Sequence, residues 1–181
     1  MENNAGKLES SNCTENERLG VETAKMNDSS QQFLNHYLES LPQEHKQRHR
    51  QVSSGYFCDD ETNANHCVEL IRQGIKTATC SLKAAYDIEQ EPLPVVGKLH
   101  VVTNWQDQPQ AIIETTEVRL CRYCDVTAEF AWAEGEEDRS LRSWRELHWA
   151  FFSKASQDIG TVADEKMMLV LERFKLVYSS P

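Results

Sequence analysis

Residues Gly74 to Leu82 read G-I-K-T-A-T-C-S-L: a glycine, a lysine and then a short run rich in hydroxyls. Upstream, Ala64, Cys67, Val68 and Ile71 recur at helical spacing from a start at Thr62 or Asn63. Gly74 stands where such a helix takes its C-terminal glycine. Downstream, Thr77 to Leu82 reads as a strand, so the chain passes from helix to strand at Lys76. Alternation along that strand places Thr77, Thr79 and Ser81 on one face. A lysine with a row of hydroxyls at such a junction can hold a phosphate or polarise a carbonyl. An exposed lysine beside an ordinary threonine-rich strand fits the same letters.

Working outward, Lys98 to Trp105, Ala111 to Tyr123 and Met167 to Tyr178 are also strand-like, separated by turn signals around Pro92, Pro94, Gly97 and Pro109. Two helical stretches interrupt them. Thr127 can cap Ala128 to Glu134, and a longer helix runs from about Ser140 to Lys154 with Leu141, Trp144, His148 and Phe151 at spacings of three and four. Nearer the N-terminus, Ser29 and Ser30 can cap a helix whose apolar face is Phe33, Tyr37, Leu38 and Leu41, ended by Pro42. Residues 1–28 hold too few large apolar side chains to offset chain entropy and are expected to be a disordered tail. Residues 29–54 then form an N-terminal helix and linker, and 55–181 the folded domain. The basic cluster Lys46, Arg48 and Arg50, with His45 and His49, reads as a solvated face within that linker. Strands closing around few helices predict an α+β fold, a small mixed β-barrel flanked by helices.

The chain has 181 residues, 39% hydrophobic and 27% charged, enough for one domain with its own core. Nineteen basic against 29 acidic residues give a formal net charge of −10. That argues against a broad phosphate-binding coat and leaves no DNA partner expected, while allowing a small basic pocket. No apolar run approaches the roughly 20 residues of a membrane span, and the N-terminus lacks the pattern of an export signal. A soluble, cytoplasmic protein is expected. Six cysteines therefore do not imply a disulfide framework. Cys121 and Cys124 lack the second ligand pair of a structural zinc site, and Cys58, Cys67 and Cys80, among apolar neighbours, read as small core residues. No phosphate-binding loop, dinucleotide glycine pattern or nucleophile elbow is present.

Further chemistry could come from A-E-F-A-W-A-E-G-E-E-D-R-S-L-R-S-W-R, residues 128–145. Its acids can serve a helix dipole, or Glu134 and Glu136 can offer carboxylates to a pocket while Arg139 binds a phosphate or a base edge. Glu114 falls within a strand of apolar and β-branched residues and needs a partner if it faces inward; Lys76 is a natural one. Asp59, Asp60 and Glu61 could hold a hard cation, but fit better as the acidic start of a helix. The four tryptophans are by default core residues.

Together, Tyr56 to Asp60, Gly74 to Leu82, Glu91 to Lys98, Ala111 to Val118 and Phe130 to Trp144 resemble, in order, the blocks of the ASCH domain family. That family is a branch of the RNA-associated PUA-like β-barrels, and the resemblance spans about residues 32–178. It implies a PUA-like barrel with a cleft for RNA, a nucleoside or a nucleotide. Some small members are amidohydrolases acting on N-acylated cytidine through a lysine, a threonine and a glutamate. These fall here on Lys76, Thr79 and Glu136, with Glu134 as the alternative glutamate. Thr77, Ser81, Glu114, Glu134 and Arg139 are then candidates for substrate binding. Thr79 would attack the acyl carbon, Lys76 would take its proton, and Glu136 would orient the attack or protonate the leaving amine. No cofactor or metal is expected for that chemistry. Other members resemble single-strand ribonucleases helped by a divalent metal, which is the cofactor expected if that reading holds, and a non-catalytic RNA-binding module is the remaining reading. The long N-terminal extension and Cys80-Ser81-Leu82 depart from the small amidohydrolases and bear on the substrate more than on the fold.

Overall fold

The computed structural model describes residues 26–42 and 51–179. The expected tail up to residue 25 and the basic cluster within 43–50 lie outside those residues. In chain order the elements are α1 (Asp28–Ser40), β1 (Val52–Gly55), α2 (Glu61–Arg72), β2 (Ala78–Leu82), α3 (Lys83–Glu89), β3 (Leu99–Thr103), β4 (Pro109–Arg122), α4 (Ala128–Glu134), α5 (Leu141–Asp158) and β5 (Met168–Ser179). The strands form one mixed sheet in the order β1-β3-β4-β5-β2. Among the described residues, β1 and β3 pair in parallel and the other neighbours are antiparallel. Register shifts at Ile112/Ile113 and between Thr115 and Glu117 interrupt the long β4–β5 ladder. Such bulges bend a strand and add twist, which suits a sheet curled into the α+β half-barrel seen here.

Period-two alternation sorts the core. Leu99, Val101 and Ile112 pack with Leu34 and Tyr37 of α1, whereas Val102, Ala111 and Ile113 pack with Val68 and Ile71 of α2. The two helices therefore cover opposite faces of β3 and β4. A third cluster joins Ala78, Leu82, Leu169 and Leu171 of β2 and β5 to Phe130 of α4 and to Trp144 and Phe152 of α5. Among the described residues, no helix is long and apolar enough to cross a membrane.

The four expected strands and the helices over 128–134 and 141–158 are present to within a few residues. Four details differ. Asn27, not Ser29 or Ser30, caps α1, its side chain accepting from the Ser30 N–H at 2.8 Å. Asp60 caps α2 in place of Thr62 or Asn63, accepting from the Asn63 N–H at 3.0 Å. Residues 52–55, read as linker, are strand β1, and α3 was not foreseen. Val52-Ser53-Ser54-Gly55 has no alternating apolar pattern, and its pairing with β3 alone makes it a strand.

Candidate active site

Two chain reversals bring the site together. Gly74 follows α2 at φ 69°, and the N–H groups of Ile75 and Lys76 both donate to the Leu70 carbonyl at 2.9 and 3.1 Å. On the other side, α4 ends at Gly135 with φ 80°. Between them, the Thr77 N–H donates to the Ala133 carbonyl at 2.8 Å, and the Phe174 N–H of β5 donates to the Thr77 carbonyl at 2.9 Å. A Cβ on Gly135 would lie 2.8 Å from the Ile75 carbonyl oxygen, so only glycine lets the strands of chain approach this closely. The clamp lays Glu134 and Glu136 against Lys76.

Lys76 is 2% exposed, among the most enclosed large side chains in the fold. Its Nζ donates to Glu136 Oε1 at 2.6 Å, to Glu134 Oε2 at 2.9 Å and to the Glu134 carbonyl at 3.4 Å. Burial pulls its pKa down, but the attraction of Glu134 and then Glu136 more than reverses this, and the ammonium is held well above its ordinary range. Glu134 is the mirror case: burial favours its neutral form, yet Lys76 and then His148 outweigh burial and hold the carboxyl below its usual range. The remaining oxygen, Glu134 Oε1, accepts from Trp144 Nε1 at 3.3 Å and lies 3.6 Å from His148 Nε2.

Three thiols surround this cluster; Cys67 is buried in the core and Cys80 packs against it, as expected, and all three also lie near the carboxylates. Cys58 and Cys67 share a hydrogen bond with sulfurs 3.4 Å apart, and Cys67 Sγ lies 3.8 Å from Glu136 Oε1. The bond to Cys58, then burial, pushes the Cys67 thiol up. Burial, then the Glu134 carboxylate, pushes Cys80 well up. Both sulfurs are poor nucleophiles at neutral pH. Among the described residues, two groups of potential metal donors result, Cys58/Cys67/Glu136 and Cys80/Glu134/His148, each with its donor atoms within 4.8 Å of one another.

A cleft of about 600 Å³ opens above Lys76, within the usual range of small-molecule sites. Thr79 and Ser81 line it, as do Glu134, Glu136, His100 and His148. Phe57, whose centroid is 5.7 Å from Lys76 Nζ, stacks with Phe174 at 6.3 Å and forms an aromatic wall. Tyr56 and Phe151 stand exposed at the rim. His100 is fixed by two hydrogen bonds. Its Nε2 is 3.1 Å from the Gly55 carbonyl, so Nε2 carries the proton and Nδ1 accepts from the Ser53 hydroxyl at 2.8 Å.

Of the predicted residues, the fold brings Lys76, Thr79, Ser81, Glu134 and Glu136 to this cleft. Thr77 is not among its lining residues; its hydroxyl donates to the Ala133 carbonyl at 3.3 Å and serves the clamp. Glu114 does not meet Lys76. It faces Lys175 across the β4–β5 ladder, with Nζ 3.2 Å from Oε2, because strand register places those two opposite each other. Arg139 lies over the Trp132 ring at 3.9 Å and donates to the Trp132 carbonyl, which turns it to the outer surface of α4. His148, Cys67, Cys80 and His100 were missed as site residues. The spacing of His148 to Trp144 and Phe151 signalled only a helix face.

The ASCH domain profile matches residues 53–178. The crystal structure of an ASCH domain from Lactobacillus crispatus is 46% identical, with a TM-score of 0.83 over 87% of this chain and 99% of that one. Protein EF3133 from Enterococcus faecalis is 32% identical, with a TM-score of 0.67 over 81% of this chain and 84% of that one. No curated protein matches significantly. The buried lysine between two carboxylates thus sits in a half-barrel whose sequence and shape agree with these relatives, and the chain belongs to the ASCH domain family, a family associated with RNA.

Proposed function

We propose that the cleft binds and hydrolyses an N-acylated, cytidine-type nucleoside. The observation that carries this reading is the convergence of the Thr79 side chain, the enclosed Lys76 and the Glu136 carboxylate on one aromatic-walled cleft of nucleoside size. Lys76 does not serve as the base, because two ionised partners hold its proton. It acts as a fixed positive charge toward the oxyanion that develops on the acyl oxygen. Glu136, whose side chain is 16% exposed at the cleft, takes the base role. Thr79 Oγ adds to the acyl carbon while its proton passes to Glu136. Collapse of the tetrahedral intermediate breaks the C–N bond, and Glu136 returns that proton to the leaving exocyclic amine. Water then hydrolyses the threonine ester and releases the carboxylic acid.

The test follows product by liquid chromatography and mass spectrometry for wild type, Thr79→Ala and Glu136→Gln, each given N-acetylcytidine. Cytidine release by wild type, reduced at least about 100-fold in both variants, is the expected result. Release that survives Thr79→Ala removes the covalent route. With single-stranded RNA and magnesium or manganese in parallel, metal-dependent fragments would favour the ribonuclease reading. Binding of either compound without turnover would favour a recognition module.

A further inference from the structure

Glu134, Cys80 and His148 raise a question that the lysine cluster does not answer. His148 is buried on α5, its ring stacked on Trp144 with centroids 4.3 Å apart and planes 16° from parallel. Its Nδ1 lies 3.0 Å from the Trp144 carbonyl, an oxygen that only accepts, so Nδ1 carries a proton. The other nitrogen, Nε2, then aims its lone pair at Glu134 Oε1 from 3.6 Å. An imidazole lone pair and a carboxylate oxygen facing each other in a buried site form a pair that a metal ion can bridge. Cys80 Sγ lies within 4.8 Å of both other donor atoms.

We infer that Cys80, Glu134 and His148 form a zinc-type transition-metal site opening on the cleft. The donor set is one sulfur, one imidazole nitrogen and one carboxylate oxygen, which suits a borderline-soft ion and not magnesium or calcium. The spacing fits: bonds of about 2.0 Å at tetrahedral angles separate oxygen and nitrogen ligands by about 3.3 Å, close to the 3.6 Å between Glu134 Oε1 and His148 Nε2. The supporting contacts fit as well. The Nδ1 bond to a backbone carbonyl is the usual way a ligating histidine is oriented. Lys76 occupies Oε2 of Glu134, while Oε1 accepts one hydrogen bond from Trp144 Nε1 and keeps a second lone pair for the ion. All three donors line the cleft, so the fourth position faces solvent or ligand, as in sites with three protein ligands and an open place. The inference is independent of the reaction proposed for the cleft, since the donors converge whatever ligand enters it.

The full chain, stripped with a chelator and dialysed under reducing conditions, is titrated with Zn²⁺ in a calorimeter and with Co²⁺ in a spectrophotometer. One equivalent of either ion is expected, the cobalt form showing intense visible bands of a tetrahedral site and a thiolate-to-cobalt charge-transfer band. Cys80→Ser should remove the charge-transfer band, and His148→Gln should weaken Zn²⁺ binding at least about 10-fold. Cys67→Ser, in the neighbouring thiol group, should leave both unchanged. Absence of saturable binding to the wild type overturns the site. Loss of the sulfur band in Cys67→Ser but not in Cys80→Ser also overturns it, moving the ion to Cys58, Cys67 and Glu136. None of these readouts depends on turnover.

Discussion

Gly135 approaches Ile75 so closely that a Cβ on the glycine would stand 2.8 Å from the Ile75 carbonyl oxygen and 2.9 Å from its carbon. The contact is between backbones, so no side-chain rotation relieves it. Gly135→Ala therefore carries a conformational cost at φ 80° and a steric one. Gly74 separates the two: at φ 69° it has nothing within 4 Å of its would-be Cβ. Gly74→Ala is expected to cost about 1 kcal/mol, and Gly135→Ala clearly more. Urea denaturation of the two variants checks this, and equal losses would show that the clamp yields easily.

The same clamp makes Lys76 necessary. With its ammonium gone, Glu134 and Glu136 would keep two carboxylates beside each other, one of them 1% exposed. Lys76→Met is expected to destabilise by about 3–5 kcal/mol, the usual penalty of an uncompensated buried charge. Adding Glu134→Gln to Lys76→Met should recover part of that loss, because the second change removes the stranded charge. Strictly additive losses in the double variant, measured by urea denaturation, would argue against direct coupling.

The proton on Lys76 also shapes the pH response. Its folded-state pKa is raised, so the pair's contribution to stability is complete below the ordinary lysine range and is lost only as pH rises through the higher folded value. Between pH 6 and 9 the group does not change charge. If the cleft is hydrolytic, its rate profile over that window should show no limb that disappears in Lys76→Arg. A lysine-linked limb near neutrality would return the base role to Lys76.

What the sequence made legible was local. The helix-to-strand junction at Gly74-Ile75-Lys76 and the Thr127-capped helix ending at Gly135 each follow from capping glycines and patterning within a dozen residues. Placing Lys76, Thr79, Glu134 and Glu136 in one cleft followed from the family resemblance, because nothing in the spacing of residues 60 positions apart dictates their contact. Glu114 illustrates the limit. An acid in an apolar strand needs a partner, but which one depends on the β4–β5 register, and that register gives Lys175. His148 and Cys80 were hidden for a similar reason. Each satisfies an ordinary rule, a helix face and a half-buried strand, and acquires chemistry only when α5 and β2 meet at Glu134.

His100 provides an acid-side prediction independent of Lys76. Burial, then the nearby Lys98 charge, lowers its pKa to about 4, against the Gly55 hydrogen bond that works the other way. The ordinary value in an unfolded chain is about 6.5. Between those two values the unfolded chain binds a proton that the folded protein does not, so stability is full above about pH 6.5 and falls as pH drops toward 4. The loss approaches about 3.5 kcal/mol as an upper bound, from roughly 1.4 kcal/mol per pKa unit over the interval from 6.5 to about 4. Protonation would also reverse the Ser53 contact, Nδ1–H then donating to the hydroxyl oxygen from which it had accepted. Urea midpoints for wild type and His100→Gln at pH 7.5 and 5 check this: the wild type should lose stability between them, and the variant should lose distinctly less. Parallel declines in the two proteins would assign the acid sensitivity to other groups and leave His100 without a part in it.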